Sequence, residues 1–268
     1  MNALPPIAPV APGDIDGVVA RIAAIVAWAD DPAVPSRLGY FAALYLRITR
    51  GIKKAVEEGR FEDGERMKRL DVLFASRYFD ALNGYFHRDT YPAPSLSWSV
   101  AFDTAALDAP IVVQHMLLGV NAHIDLDLGI AAWEVMRPGP LGALQRDFDT
   151  VNAVLGEQVH TVLDEIGAIS PVLKDLDDLF AQDEITLIDD GLVWFRTSAW
   201  DFAVKLASAG WFDPALITLR DYAIAHLGAI MLHPPAIFAG LVSAIAAKES
   251  RDVTKNIAIL NAIAAAPL

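Results

Sequence analysis

Residues 110–136, PIVVQHMLLGVNAHIDLDLGIAAWEVM, constrain the fold more than any other part of the chain. Wound as an α-helix at about 100° per residue, they place apolar side chains at every angle, among them Val112, Val113, Leu117, Leu118 and Leu126. A helix that is apolar all round is buried all round. The rest of the chain must therefore supply a layer of elements that encloses it.

Those elements read as helices. Alanine and leucine recur at spacings of three and four, and alternating Val/Ile/Thr runs of strand type are absent. Asp14 caps a first helix to about Trp28. Pro35 sits in the first turn of a second, which ends at Glu58 with Gly59 as its stop, and Asp63 opens a third through Phe86. After the central helix, further helices are expected over about 141–166, 171–180 and 184–209, from Asp213-Pro214 to His233, and over about 235–247 and 251–265. Residues 87–109, with Pro92 and Pro94, read as a long irregular connection carrying Tyr91, Trp98 and Phe102. Such a segment is either packed on the surface or walls a pocket. No fixed-period repeat and no polar linker divides the chain. The expectation is an all-α, single-domain helical bundle of about eight to ten helices around a buried central helix, spanning 14–268 and preceded by an extended arm at 1–13.

Composition removes several classes of function. Asp and Glu outnumber Lys and Arg 34 to 21, a net charge of −13. Nucleic acid is therefore not an expected partner, because phosphate binding needs clustered cations. The one basic run, Arg66 to Arg69, is flanked by Glu62, Asp63, Glu65 and Asp71 and reads as a solvated helix face. There is no cysteine, so disulfides, zinc–thiolate sites and thiol nucleophiles are excluded. The N-terminus lacks a basic region followed by an apolar stretch, so a cytoplasmic location is expected. Residues 222–247 carry no Asp, Glu, Lys or Arg, a stretch longer than a bilayer needs. Pro234-Pro235 break it and His226 and His233 interrupt it, so a buried helical hairpin is expected rather than a membrane span.

The chemistry is concentrated on the central helix. His115, Asn121, His123, Asp125 and Asp127 lie among apolar residues, where ionisable groups are costly unless paired, neutralised or bound to a ligand. Gln114, Asn121 and Asp125 form one narrow stripe with a structural character. His123 and Asp127 are one turn apart, with His115 near them on the wheel, and Gly119 leaves room for a close neighbour.

Three readings compete. His123, Asp127 and His115 hold a divalent metal, completed by His160, Asp71 or His226. Alternatively, Asp127 orients His123 as a metal-free acid or base. In the third reading the groups form a structural network with Arg77 or Arg196. Arg196 and Trp200, one turn apart, either stack as a cation–π pair or wall a pocket, and with Asn121 and Asp125 they are the candidate ligand-holding residues. No phosphate loop, G-x-S-x-G elbow, HExxH, EF-hand or paired E-x-x-H pattern is present.

His115, Gly119, Asn121, Ala122, His123, Ile124, Asp127 and Leu128 form an H-x3-G-x-N-A-H-I-x2-D-L pattern. This pattern resembles that of a bacterial family of domains of unknown function, as do Leu70–Ala75 followed by Arg77-Tyr78 and the helix bearing Arg196 and Trp200. The resemblance covers most of the chain after residue 14 and implies an all-helical cytoplasmic domain. It implies no reaction, and it carries over His115, Asn121, His123 and Asp127, with position 125 variable. The function expected is a small-molecule enzyme acting on a partly apolar substrate at the His/Asp cluster, by hydrolysis, isomerisation or cyclisation. The alternative is a non-catalytic binding protein for an apolar ligand, with the cluster as architecture.

Overall fold

The structure, a computed structural model, describes residues 4–172, 183–210 and 213–265. Eleven α-helices and no strand occur among them: α1 (Ile15–Ala29), α2 (Leu38–Glu57), α3 (Gly64–Phe86), α4 (Leu96–Thr104), α5 (Val112–Val120), α6 (Gly129–Met136), α7 (Gln145–Ile169), α8 (Asp183–Ala209), α9 (Asp213–Leu232), α10 (Ala236–Lys248) and α11 (Val253–Ala265). A π-helical segment, Asn121–Leu128, joins α5 to α6, so the three form one continuous central helix. With the central helix counted once, the described helices number ten.

Local chemistry sets the helix starts. The carboxylates of Asp14 and Asp63 accept from the backbone N–H of Gly17 and Arg66, and Ser95 Oγ accepts from Trp98 N–H. Gly59, at φ +70°, ends the run after α2, a conformation side-chain-bearing residues rarely adopt. The expectation for 87–109 is corrected: Ser95 caps a helix there, and α4 packs on the central helix. The short helix expected over 171–180 lies outside the described residues from 173 onward.

The central helix is enclosed as its all-round apolarity requires. Helices α2, α3, α4, α8 and α9 all pack on it, and Leu118, Leu126, Ile130, Ala131 and Ala132 are almost fully buried. Gly129 allows a close approach to backbone: a Cβ there would meet the Ala199 carbonyl oxygen of α8 at 2.6 Å. The arm is docked. Asn83 on α3 exchanges two hydrogen bonds with the backbone of Ile7, and Arg21 donates to the carbonyls of Ala8 and Pro9.

One expectation fails. The charge-free stretch 222–247 is not a buried hairpin. In α9 the buried residues are Ile224 and Gly228, and in α10 Ile245, while Tyr222 is 60% and Ile237 82% exposed. Helix α9 is long and apolar enough to cross a membrane by length and composition, at mean hydropathy 1.3.

Candidate functional site

The π segment is the key to the site. Its backbone bonds run from residue i to i+5 instead of i+4, so side chains beyond Val120 rotate away from the positions that a 100° wheel assigns. Such segments are rare and frequent at functional sites. Asn121, His123, Asp125 and Asp127 all lie within it, and all are buried.

Asp127 is the hub. It is 2% exposed and receives three donors: Arg77 Nε from α3 at 2.8 Å, Trp98 Nε1 from α4 at 2.8 Å, and His123 Nδ1 at 3.4 Å. Burial would raise its carboxyl, but Arg77, the His123 hydrogen bond and Trp98 together hold it below the usual carboxylate range. An ionised carboxylate only accepts, so His123 Nδ1 donates and Nε2 keeps a free lone pair. Burial lowers the His123 imidazole despite the pull of Asp127, which keeps it neutral.

His123 sits among aromatic rings. Phe74 stacks face to face on it at 3.6 Å between centroids, Tyr45 meets it edge-on at 4.5 Å, and Phe41, Tyr78 and Trp98 lie within 6.0 Å. Its Nε2 is buried and has no hydrogen-bond partner among the described residues.

Beside this cluster lies a cavity of about 490 Å³, walled by α2, α3, the central helix, α7 and α8. Its lining is almost wholly apolar, including Phe41, Ile48, Leu70, Phe74, Leu117 and Leu192, and it also includes His123, Tyr45, Thr49, Asp71, Gln158 and Arg196. Among the described residues, three of these carry a buried atom without a partner, Asp71 Oδ2, His123 Nε2 and Gln158 Oε1, while the Tyr45 and Thr49 hydroxyls have only each other. Buried polar groups are ordinarily bonded, so unpartnered atoms on the wall of an open space are a cost that the fold bears there. Burial pushes the Asp71 carboxyl up to about 7 and, with the neighbouring Asp71, raises the Tyr45 phenol well above its usual value.

The other expected residues are placed as follows. His115 does not join His123: its ring meets Tyr40 edge-on at 5.8 Å, and burial together with Arg37 and Arg251 pushes it down to about 4. Asn121 donates to the Ile224 carbonyl, and Asp125 is held by Arg220, so both fasten the central helix to α9 instead of reaching the cavity. Gln114 completes that stripe, donating to the carbonyls of Met231 and Leu232, which supports its structural reading. Gly119 makes room for the Phe41 side chain, not for a ligand.

Trp200 does not line the cavity. It packs on Phe148 at 5.0 Å, and Phe148, not Trp200, carries the Arg196 guanidinium over its face at 4.3 Å. His226 is exposed on α9, and the side chain of His160 lies outside the described ones.

The metal reading meets an obstacle in these contacts. Both Asp127 oxygens are taken by cationic or N–H donors, His115 faces two arginines, and no group of three or more His, Asp or Glu among the described residues is disposed to hold a metal. Sequence reasoning missed Tyr45, Thr49 and the role of Trp98. The i, i+4 spacing of Tyr45 and Thr49 on the apolar face of α2 was the available signal.

A family model matches residues 15–234, which contain the whole cluster and every residue named on the cavity wall. The chain belongs to DUF5995, a family of unknown function. No curated protein and no solved structure matches it. The DUF5995 match ends at the close of α9, so α10 and α11 lie beyond it.

Proposed function

We propose that this chain is an enzyme that takes a partly apolar small molecule into the 490 Å³ cavity and acts on it with His123 as a metal-free general base, oriented by Asp127. The observation that carries the reading is the imidazole itself. It is neutral, its Nδ1 is committed to an ionised carboxylate, and its Nε2 lone pair has no partner. Trp98 and Arg77 keep Asp127 charged and fixed, which sets the tautomer. Phe74 and Tyr45 both cover the imidazole and line the cavity, so one of them gives way when a substrate hydroxyl or acidic C–H reaches Nε2. Asp71, largely protonated below neutrality, supplies a second proton-transfer group on the same wall. Proton abstraction, with hydrolysis, isomerisation or cyclisation as its outcome, fits this arrangement.

A second reading is favoured by the coverage of Nε2. In it the cavity binds an apolar ligand without chemistry, and the Asp127 cluster is architecture. Two probes separate them: 2-decanone, whose α-proton exchange in D₂O is followed by NMR, and p-nitrophenyl octanoate, whose hydrolysis is followed by absorbance. Turnover of either above the buffer rate, abolished in a folded His123→Gln variant that still binds the probe, supports catalysis. Stoichiometric binding with no turnover of either, unchanged in His123→Gln, supports the binding protein and overturns the enzyme.

A further inference from the structure

Resting on the reading that the cavity is a ligand site, we propose that its ligand is an amphiphile with one carboxylate head group, fixed by Arg196. This arginine is 5% exposed and lines the cavity from α8. Three other arginines, less deeply buried than Arg196, each meet a buried carboxylate: Arg66 with Asp147, Arg77 with Asp127, and Arg220 with Asp125. Arg196 meets none among the described residues. Its Nε donates to Asn152 Oδ1 at 2.5 Å and its Nη2 to the Phe148 carbonyl at 2.6 Å, both neutral acceptors. The carboxylate that acts on it electrostatically, Asp149, is exposed and outside ion-pair distance.

A buried cation with neutral partners is costly, and burial pulls the guanidinium down to about 9, which still leaves it charged at neutral pH. The ring of Phe148 beneath it and the two hydrogen bonds fix its plane. Nη1 has no protein partner among the described residues, so its N–H bonds are the ones left for a ligand. A pre-positioned guanidinium of this kind matches a carboxylate without further ordering.

The rest of the wall sets the body of the ligand. Apart from Arg196, Tyr45, Thr49, Asp71, His123 and Gln158 it is hydrocarbon and aromatic, so the remainder of the molecule is apolar. A volume of about 490 Å³ holds roughly sixteen water-sized groups of ~30 Å³ each, the size of a medium-chain carboxylic acid. Asp71, on the same wall, repels an anion when ionised, which favours the head group at Arg196 and the chain beside His123.

The test is calorimetric titration of the full chain, stripped of bound lipid, with decanoate and with 1-decanol. Decanoate is expected to bind one to one and at least tenfold more tightly than the alcohol, the factor that a charge-assisted hydrogen bond provides. Arg196→Gln should lower decanoate to the level of 1-decanol and leave 1-decanol unchanged, and Arg196→Lys should keep part of the gap. Equal affinities in the natural chain, or a gap that survives Arg196→Gln, overturn the assignment while leaving the cavity a ligand site. Failure of both probes to bind removes the ligand-site reading itself, and the head-group assignment with it. Should Arg196→Gln not fold, the natural chain still decides, because methyl decanoate must then bind like the alcohol and not like the acid.

Discussion

Asp71→Asn should stabilise this protein increasingly as pH rises. Asp71 Oδ2 is buried without a partner, and burial alone moves the carboxyl from 3.8 to about 7. An acid with a raised folded pKa contributes stability below its unfolded value and loses it as pH climbs through the folded one, here between 3.8 and about 7. At about 1.4 kcal/mol per pKa unit, ionised Asp71 costs about 4 kcal/mol at pH 8 and about 1.5 kcal/mol at pH 5. Asparagine has the same shape and cannot ionise. The stability difference between Asp71→Asn and the natural chain should therefore widen by about 2.5 kcal/mol from pH 5 to pH 8. An unpartnered amide in the variant adds a constant offset but no slope, and His115, His123 and Asp125 titrate in both proteins and cancel. Urea unfolding followed by tryptophan fluorescence at four pH values between 5 and 8 measures the difference. A flat difference across that range would refute the claim that Asp71 is an uncompensated buried carboxyl.

Asp127→Ala strands the indole N–H of Trp98 and removes the partner of Arg77, and should cost about 3–5 kcal/mol of unfolding free energy in the same assay. Asp127→Asn, which keeps an acceptor for Trp98, should cost less than half as much, and parity of the two variants would count against the charge-based account. His115, pushed down to about 4 from 6.5, draws no protons in the fold while the unfolded chain takes them up, so stability falls as pH drops through that window. His115→Gln should reduce that acid loss by about 3 kcal/mol, seen as a flatter denaturation profile between pH 6.5 and 4. Gly129→Ala forces a Cβ to 2.6 Å from the Ala199 carbonyl oxygen and should lower stability by about 1–3 kcal/mol through displacement of α8, read by thermal melting.

The fold was legible because the central helix declared its own surroundings. A segment apolar at every angle admits few outcomes but enclosure, and capping residues such as Asp14 and Asp63 marked neighbouring helices to within a residue or two. The candidate site was legible in which residues are buried and less so in their geometry. The 100° wheel paired His123 with Asp127 correctly, since an i, i+4 pair stays close even in a wider turn. It failed for His115, six residues before the end of the α-helical part at Asn121, because nothing in the residue types announces a change from i+4 to i+5 bonding. Trp98 was invisible for a different reason. Two prolines made its segment read as loop, whereas Pro92 and Pro94 only precede the cap at Ser95.

The exposed α9–α10 stretch shows the opposite failure. Absence of charge suggests burial, yet apolar residues make up much of any protein surface, so composition alone does not distinguish an inner helix from an outer one. The central helix and α9 are both apolar, and what separates them is the polar content. Most buried polar groups on the central helix are bonded to a neighbour: Gln114 and Asn121 to the backbone of α9, Asp125 to Arg220, and Asp127 to Arg77 and Trp98. His123, like Asn121 and Asp125, is bonded at one atom and orphaned at another, but of these three only His123 borders the cavity, whose wall also holds the unpartnered Asp71 Oδ2 and Gln158 Oε1. A chain selected only for stability gains by replacing such groups with hydrocarbon of the same shape. The stripe facing α9 also keeps unpartnered atoms, at Asn121 and Asp125, but those lie against packed helix. The ones at His123, Asp71 and Gln158 border open space, and that difference is the physical reason for proposing the function at the cavity.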